Sequence, residues 1–279
     1  MQNDISKMII QSFAEIAKDK GIDKDLLLSI LEDVFRTMIR KKYESDEAFE
    51  VILNADRGEI QILHIREVVP ADELTDPVTE ITLEEAQKHD PDLELYDEFA
   101  QEISIADFGR RAVTMARQQL AQRIREIEKD NIFEEYSDRV GEIVLGDVYQ
   151  VRSNKDILVN HNGVELLLPK SEQIYKDRYR KGDTIRAVVT EVRRVGGNPT
   201  VIISRTSPLF LERLFENEIP EVFDGIIELK RIAREPGDRS KVAVVSYDER
   251  VDPVGACVGM KGIRIHAVVR ELQNENIDV

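Results

Sequence analysis

The sequence has little of what disulfide bonding, metal binding or membrane insertion requires. Cys257 is the only cysteine among the 279 residues, which excludes a disulfide framework and a cysteine-based metal site. The four histidines are scattered and show no metal-ligand spacing. No apolar run reaches the roughly 18 residues of a membrane span, and the N-terminus has no signal-peptide pattern. We therefore expect a cytoplasmic protein with no metal or other cofactor and no membrane partner.

Positive charge is also scarce in total, because the formal net charge is −16 at pH 7. This total argues against nucleic-acid binding, since phosphate contacts need Lys and Arg. The acids are concentrated, however: between residues 71 and 107, thirteen Asp and Glu accompany a single base, Lys88. Between residues 139 and 206 the bases outnumber the acids. Such segregation predicts different partners for different segments.

Catalytic patterns are missing as well. Asp107-Phe108-Gly109 matches a magnesium-binding tripeptide of kinases, but the glycine loop, strand lysine and catalytic loop that accompany it are absent. The Gly-x-x-x-x-Gly-Lys-Ser/Thr spacing of a P-loop is absent too. The many carboxylates have no histidine or cysteine cluster beside them, which is typical of a solvated acidic surface. The sequence therefore predicts a protein that is not an enzyme.

The first part of the chain combines helices with a hairpin. The predicted elements are a helix over residues 5–16, a second helix from Asp23 to Lys42, a hairpin over residues 49–65, a short helix capped by Thr82 and a long helix over residues 104–135. Basic residues that end the second helix or lie on the long one are candidates for docking on a protein: Arg40, Lys41, Lys42, Arg110 and Arg111. Two interpretations remain open, since these charges serve either helix capping and solvation or docking.

The middle of the chain changes to strand-like periodicity. Five short β runs lie between residues 142 and 204, which matches an OB barrel with a short helical stretch after its third strand. Tyr149 and His161 are expected to be exposed and to stack bases. The basic residues that would follow the phosphates are Lys155, Lys170, Lys176, Arg178, Arg180 and Lys181. Tyr149 could equally belong to the barrel core, and the basic residues could form an ordinary loop surface.

The last part of the chain contains the most specific motif. A helix over residues 209–217 and strands over residues 226–233 and 242–247 precede Gly259-Met260-Lys261-Gly262, which opens a helix over residues 263–272. Neither glycine has a Cβ to obstruct an RNA backbone, and the helix N-terminus offers free N–H groups. Lys261 and Arg264 add positive charge. This order is typical of a KH domain. The chain stops in a further strand-like run, so we expect a longer parent protein.

These residues resemble the NusA family of bacterial transcription factors over essentially the whole chain. The most specific stretches are residues 105–112 (Ile-Ala-Asp-Phe-Gly-Arg-Arg-Ala) and residues 252–265, which include the Gly-x-x-Gly loop. The resemblance implies an α+β multidomain chain. Its parts would be a helical and β-hairpin N-terminal domain over residues 1–136, a five-stranded S1-type OB barrel over residues 137–206 and a first KH domain over residues 207–279.

The resemblance also implies a function. The N-terminal domain would dock on RNA polymerase near the RNA exit channel, at the flap region of the β subunit, while the S1 and KH domains would hold nascent single-stranded RNA. Such a factor prolongs hairpin pauses, promotes intrinsic termination and joins other Nus factors in antitermination. The second KH domain of the family would lie beyond residue 279. No self-pairing pattern is present in the sequence, so we expect a monomer.

Two other classes of protein combine similar domains. RNA-decay enzymes of the polynucleotide phosphorylase kind carry KH and S1 domains in the reverse order, after a catalytic core that this sequence does not contain. S1 proteins of translation repeat the barrel, whereas one copy is recognisable here. The alternative function is therefore that of a generic S1/KH RNA-binding protein of RNA decay or translation.

Overall fold

The computed structural model of the chain describes residues 23–54 and 59–279. The chain forms two compact units, Met1–Glu128 and Lys129–Val279. The helix predicted over residues 5–16 and the turn of the predicted hairpin at residues 55–58 lie outside the described residues. Within the described ranges, no helix is both long enough and apolar enough to cross a lipid bilayer.

The first unit packs helices against a four-stranded sheet. Its elements are α1 (Lys24–Tyr43), β1 (Phe49–Asn54), β2 (Glu59–Val69), β3 (Glu80–Thr82), α2 (Leu83–Ala86), β4 (Glu98–Ile103), a 3-10 turn (Ile105–Phe108) and α3 (Gly109–Asp138), which continues into the second unit. Strand β2 pairs antiparallel with β1 and β4 and parallel with β3. The predicted apolar stripe of α1 is buried and shares one core with Phe49, Ile62 and Leu120.

Local signals set several boundaries of this unit. Asp23 caps α1 as predicted, because its side chain accepts a hydrogen bond from the Asp25 N–H. Thr82 likewise caps α2. The long helix begins later than predicted, since Ser104 and Asp107 form a capping box around the 3-10 turn. The Asp107 carboxylate accepts from the Ser104 N–H at 3.1 Å, which gives the kinase-like tripeptide a structural role.

The second unit opens with a closed five-stranded barrel. Its strands are β5 (Ile143–Val151), β6 (Ile157–His161), β7 (Val164–Leu168), β8 (Thr184–Val195) and β9 (Asn198–Ser204), closed in the order β5-β6-β7-β9-β8. All five predicted strands are confirmed, as is the short helical stretch after the third, at Lys170–Glu172. Gly146 lies where β5 crosses β6 closely: a Cβ there would be 2.6 Å from the Asn160 carbonyl oxygen.

The rest of the second unit is a three-stranded sheet covered by helices. Its elements are α4 (Pro208–Glu218), α5 (Pro220–Phe223), β10 (Ile227–Glu235), β11 (Arg239–Ser246), α6 (Pro253–Val258), α7 (Ile263–Glu271) and β12 (Asn276–Asp278), with β12 parallel to β11. Helix α6 was not predicted, because it has only six residues and contains Gly255, which lowers helix propensity; Pro253 is its first residue, where proline is tolerated. The Asp252 side chain nevertheless caps it by accepting from the Val254 and Gly255 N–H groups.

Arg205 joins the barrel to this sheet-and-helix domain from the connection between β9 and α4. Its side chain is 1% exposed. Nε donates to Asp177 Oδ2 at 2.9 Å, and the two terminal nitrogens donate to the carboxylate and carbonyl oxygens of Glu271 at 2.7 Å. The Tyr179 and Phe210 rings lie 5.6 and 5.2 Å from the guanidinium carbon. One buried cation therefore holds the β7–β8 connection of the barrel and the end of α7 together.

Glu275 forms a second buried ion pair, between α7 and β12. Its carboxylate accepts from Arg234 Nε at 2.9 Å, from the Gly237 N–H at 2.7 Å and from the Ser240 hydroxyl. Burial acts to raise the pKa of Glu275, but these donors outweigh it and hold the pKa below its usual value. The ionised form is therefore the one that the fold stabilises.

This ion pair predicts an acid-sensitive stability. A carboxylate with a depressed pKa contributes stability above its unfolded pKa of about 4.3, and that contribution is lost as the pH falls through the lower folded value. In urea unfolding across acidic pH, we expect the unfolding free energy of Glu275→Gln to depend less on pH than that of the wild type, by up to about 1.4 kcal/mol per pH unit. Glu249→Gln, at an exposed position, is the control. Equal pH slopes for the wild type and Glu275→Gln would contradict the prediction.

Candidate nucleic-acid interface

The Gly259–Gly262 loop is a tight turn between α6 and α7. Gly259, Lys261 and Gly262 all have positive φ angles, of 74°, 55° and 76°. A side chain at either glycine would be strained in this region of backbone space. The side chain of Met260 is 86% exposed, and Lys261 and Ile263 are exposed beside it. The loop thus presents one cation and two apolar side chains at the N-terminus of α7, where N–H groups suit an anion.

Two side chains from the first turns of α7 support this loop. Arg264 Nη1 donates to Glu221 Oε2 and to the Ala256 carbonyl, both at 2.8 Å. His266 Nδ1 lies 2.7 Å from the Gly262 carbonyl oxygen, so Nδ1 is the donor. Arg264, predicted to contact RNA, therefore has protein partners for one terminal nitrogen, whereas Lys261 faces solvent.

The single cysteine lies behind the loop, in α6. Burial raises the pKa of the Cys257 thiol to about 11, so the thiol is protonated at neutral pH and serves as a core residue. In the parts of the chain that the structure describes, no group of His, Cys, Asp and Glu side chains has the arrangement of a metal site.

Of the two aromatic residues of the barrel that were predicted to stack bases, His161 is buried and Tyr149 is half-buried. His161 is 8% exposed, and its Nδ1 lies 2.6 Å from the hydroxyl oxygen of Tyr136, a fully buried residue of the barrel core. The prediction that His161 is exposed and stacks bases is therefore wrong, because the ring fills the space between β6 and the end of α3. Burial also lowers the pKa of His161, which keeps the ring neutral at pH 7. Tyr149 is half-buried on β5.

The predicted basic residues of the barrel concentrate on the connection between β7 and β8. Lys170, Arg178 and Arg180 are all exposed there, with Lys181 beside them. Lys176 is exposed too, but its ammonium group donates to the Gly237 carbonyl of the neighbouring domain. Arg178 Nη1 donates to the carbonyls of Tyr175 and Asp177 within the same connection, which leaves its other nitrogens for a ligand. This exposed set, Lys170, Arg178, Arg180 and Lys181, is called the basic segment below.

Sequence reasoning missed one aromatic side chain on this connection. Tyr175 is 62% exposed, with the Lys176 ammonium 5.3 Å from its ring centroid. The ring lies against Gly237, where a Cβ would come within 3.2 Å of two ring carbons. Tyr175 is not part of a periodic pattern that would have predicted its exposure. The signal available was its run of basic and polar neighbours, because an aromatic side chain among Lys and Arg residues is typical of proteins that bind single-stranded nucleic acid.

The predicted docking residues of the first unit divide into two groups. Lys41, Lys42 and Arg111 border a groove of about 320 Å³, whose walls include Met38, Phe108 and Met115. The Lys42 ammonium is 3.1 Å from the Asp107 carbonyl oxygen and lies over the Phe108 ring. Arg40 turns away and pairs with Asp46 at 3.1 Å, while Arg110 is exposed outside the groove walls.

A closed five-stranded barrel and a Gly-x-x-Gly domain lie in one compact unit, a combination that is typical of RNA-binding proteins. Family models match the chain in the same order. The NusA N-terminal domain matches residues 8–130, the S1 RNA binding domain residues 137–204 and the NusA-like first KH domain residues 205–279.

Curated proteins named transcription termination/antitermination protein NusA are similar to nearly the whole chain. The identity is 39% for the protein of Halalkalibacterium halodurans, 38% for that of Bacillus subtilis and 34% for that of Thermus thermophilus. The alignments cover 97%, 99% and 99% of this chain and 70%, 73% and 73% of those relatives. A solution structure of the N-terminal domain of NUSA from B. subtilis covers 44% of this chain and 98% of its own, at 31% identity and a TM-score of 0.33.

The chain belongs to the NusA family of transcription termination/antitermination proteins. Its S1 and KH domains are RNA-binding domains by family. The predicted resemblance and the predicted α+β fold with an S1 barrel and a KH domain are confirmed.

Proposed function

We propose that this protein modulates transcript elongation, termination and antitermination by binding RNA polymerase near the RNA exit channel and holding the nascent single-stranded RNA. Its parts would be a polymerase-binding domain over residues 1–136, an S1 domain over residues 137–206 and a first KH domain over residues 207–279. The observation that carries the proposal is the exposed Met260-Lys261 loop in the same compact unit as the basic segment.

The RNA-binding half of the proposal rests on weak contacts that add up. Lys261 and the N-terminus of α7 suit a phosphate, and the four cations of the basic segment suit further phosphates. Tyr149 and Tyr175 offer aromatic faces for unstacked bases. Each module alone would bind weakly and release RNA at high salt. Attachment to polymerase raises the local concentration of the emerging transcript and makes such weak binding sufficient.

The polymerase-binding half rests on the first unit. The groove beside Lys41 and Arg111 combines an apolar wall with a cationic border, which suits an amphipathic segment with acidic residues, as a flap region of the β subunit would supply. The thirteen acids between residues 71 and 107 repel RNA, which favours a protein partner for this unit. Other Nus factors would join the same assembly during antitermination.

A pause assay tests the proposal on the full chain. Bacterial RNA polymerase halted at a hairpin pause is followed with and without the protein. We expect the wild type to lengthen the pause and Lys41→Glu/Arg111→Glu to lose that effect while keeping its affinity for single-stranded RNA. Arg117→Glu/Arg125→Glu carries the same charge change on exposed residues outside the groove walls and should behave as the wild type.

The other outcomes separate the two halves of the proposal. An unchanged pause with intact RNA binding would remove the polymerase half. Capture of ribosomes rather than polymerase by the wild type would favour the alternative, a generic S1/KH RNA-binding protein of translation. Loss of pausing in both paired variants would show that net charge, and not the groove, determines docking.

A further inference from the structure

Glu221 and Arg264 meet directly behind the Gly-x-x-Gly loop. The Glu221 side chain reaches from α5, and Arg264 Nη1 bridges its Oε2 to the Ala256 carbonyl at the end of α6. The two side chains are 27% and 34% exposed, so the pair is accessible at its edge but mostly covered by protein. One atom, Arg264 Nη1, thus links α7 to both α5 and α6.

The stem of Arg264 also contacts the loop itself. A Cβ on Gly259 would lie 2.9 Å from Arg264 Cγ and 3.2 Å from its Cβ and Cδ, so the aliphatic stem covers the open face of the glycine. The Gly259 N–H in turn donates to the Gly255 carbonyl at 2.8 Å, at the end of α6. The position of Gly259 is therefore determined by α6 on one side and by the Arg264 stem on the other.

The opposite end of the loop has its own support. His266 Nδ1 donates to the Gly262 carbonyl, and a Cβ on Gly262 would lie 2.9 Å from that nitrogen. The two residues between the glycines, Met260 and Lys261, extend into solvent. Both ends of the loop are held by protein, and the middle is presented to a ligand.

We propose that Arg264 and Glu221 are positioning residues for RNA binding, which hold the Gly-x-x-Gly loop in its binding conformation instead of contacting phosphate. The inference rests on the proposed RNA binding at this loop. It assigns a function to a carboxylate, Glu221, that electrostatics alone would call unfavourable beside an RNA backbone.

Removal of the Glu221 charge distinguishes simple electrostatic repulsion from a positioning role, because the two predict opposite changes in RNA affinity. If only electrostatics acted, Glu221→Gln would tighten RNA binding by removing a negative charge near the phosphates. A positioning role predicts weaker binding, by at least about fivefold. Asp224→Asn is the matched control, since it removes an exposed carboxylate at the end of the same short helix. It is expected to leave RNA binding unchanged or slightly tighter.

The salt dependence of binding tests Arg264 in the same way. Loss of one phosphate contact lowers the slope of log affinity against log salt by about 0.7 for a single strand. We expect Arg264→Gln to weaken binding with an unchanged slope, and Lys261→Ala to weaken binding with a reduced slope. The double variant Glu221→Gln/Arg264→Gln should bind RNA no more weakly than the weaker-binding single variant, because both substitutions remove the same contact.

Fluorescence anisotropy with a labelled single-stranded RNA of mixed sequence provides the affinities, and urea unfolding midpoints show whether each variant is folded. Backbone amide exchange at residues 259–262 provides a second measurement, expected to accelerate in Glu221→Gln and not in Asp224→Asn. Tighter RNA binding by Glu221→Gln, or a reduced salt slope for Arg264→Gln, overturns the positioning role. If the wild type does not bind RNA, or Lys261→Ala binds as the wild type does, the proposed RNA site itself fails.

Discussion

Replacing Arg205 with alanine is expected to lower the free energy of unfolding of the second unit by about 3–5 kcal/mol. The side chains of Arg205 and Asp177 are each 1% exposed, so the substitution leaves a carboxylate buried without its counterion. Two oxygens of Glu271 also lose their donors. Urea unfolding followed by circular dichroism and tyrosine fluorescence measures the change. The chain has seven tyrosines and no tryptophan, so the tyrosine signal is unobscured.

The loss of stability should depend on pH in a defined direction. Burial raises the pKa of Asp177 even beside Arg205, and removal of the guanidinium raises that pKa further. A carboxyl whose folded pKa lies above its unfolded value is destabilising while it is ionised. Acid protonates the group and removes part of that penalty. We therefore expect the difference in unfolding free energy between the wild type and Arg205→Ala to shrink from neutral to acidic pH.

A matched arginine distinguishes this buried pair from an ordinary surface charge. Arg152 is 46% exposed and lies 3.8 Å from the Glu165 carboxylate, so Arg152→Ala should change the unfolding free energy by no more than about 1 kcal/mol. A double-mutant cycle of Arg205→Ala with Asp177→Ala should show a coupling of about 1–3 kcal/mol, since the second substitution removes the unpaired charge. Additive effects, or a loss for Arg205→Ala as small as that for Arg152→Ala, would refute this account.

Gly262→Ala is expected to reduce the affinity for single-stranded RNA at least about tenfold, which corresponds to about 1.4 kcal/mol. Gly262 has a φ of +76°, where an alanine is strained by about 1–2 kcal/mol. The added Cβ would lie 2.9 Å from His266 Nδ1, so the ring must move and its hydrogen bond to the Gly262 carbonyl is lost. The loop then loses the support at its second end. Anisotropy titrations at one fixed salt concentration measure the affinity.

Gly225→Ala separates backbone strain from the effect on the loop. Gly225 has a φ of +71°, and a Cβ there would have no atom within 4 Å. Gly225→Ala should therefore lose only the stability that the backbone strain costs and keep its RNA affinity, while Gly262→Ala loses RNA affinity as well. Similar affinities for the two variants would show that the position of the loop does not control binding.

The elements that the sequence predicts correctly are those with a local pattern. The stripe of α1 from Leu27 to Met38 repeats at helical spacing, and the five barrel strands alternate or run apolar between turn residues. Strands β3 and β4 were missed because both lie in the acidic segment and β3 has only three residues; their pairing with β2 is what makes them strands.

For the candidate site, too, the sequence predicted the features that have a local pattern and missed those that depend on distant residues. The Gly-x-x-Gly loop was located from the sequence, because two glycines ahead of an amphipathic helix are a local motif. The burial of His161 depends on Tyr136, which is 25 residues away, and no spacing rule connects them. Arg264 and Glu221 are 43 residues apart, and no spacing rule predicts their pairing either.

The sequence by itself therefore determined the order of the domains, the strands of the barrel and the position of the Gly-x-x-Gly loop, because each depends on residues adjacent along the chain. Tertiary structure alone decided which charged and aromatic side chains remain available to a ligand. Arg205 and Lys261 are both cations in the sequence, yet Arg205 is enclosed by Asp177 and by Glu271, 66 residues away, while Lys261 faces solvent. Burial and pairing are set by neighbours that meet only after the chain has folded, and these neighbours leave no periodic trace in the sequence.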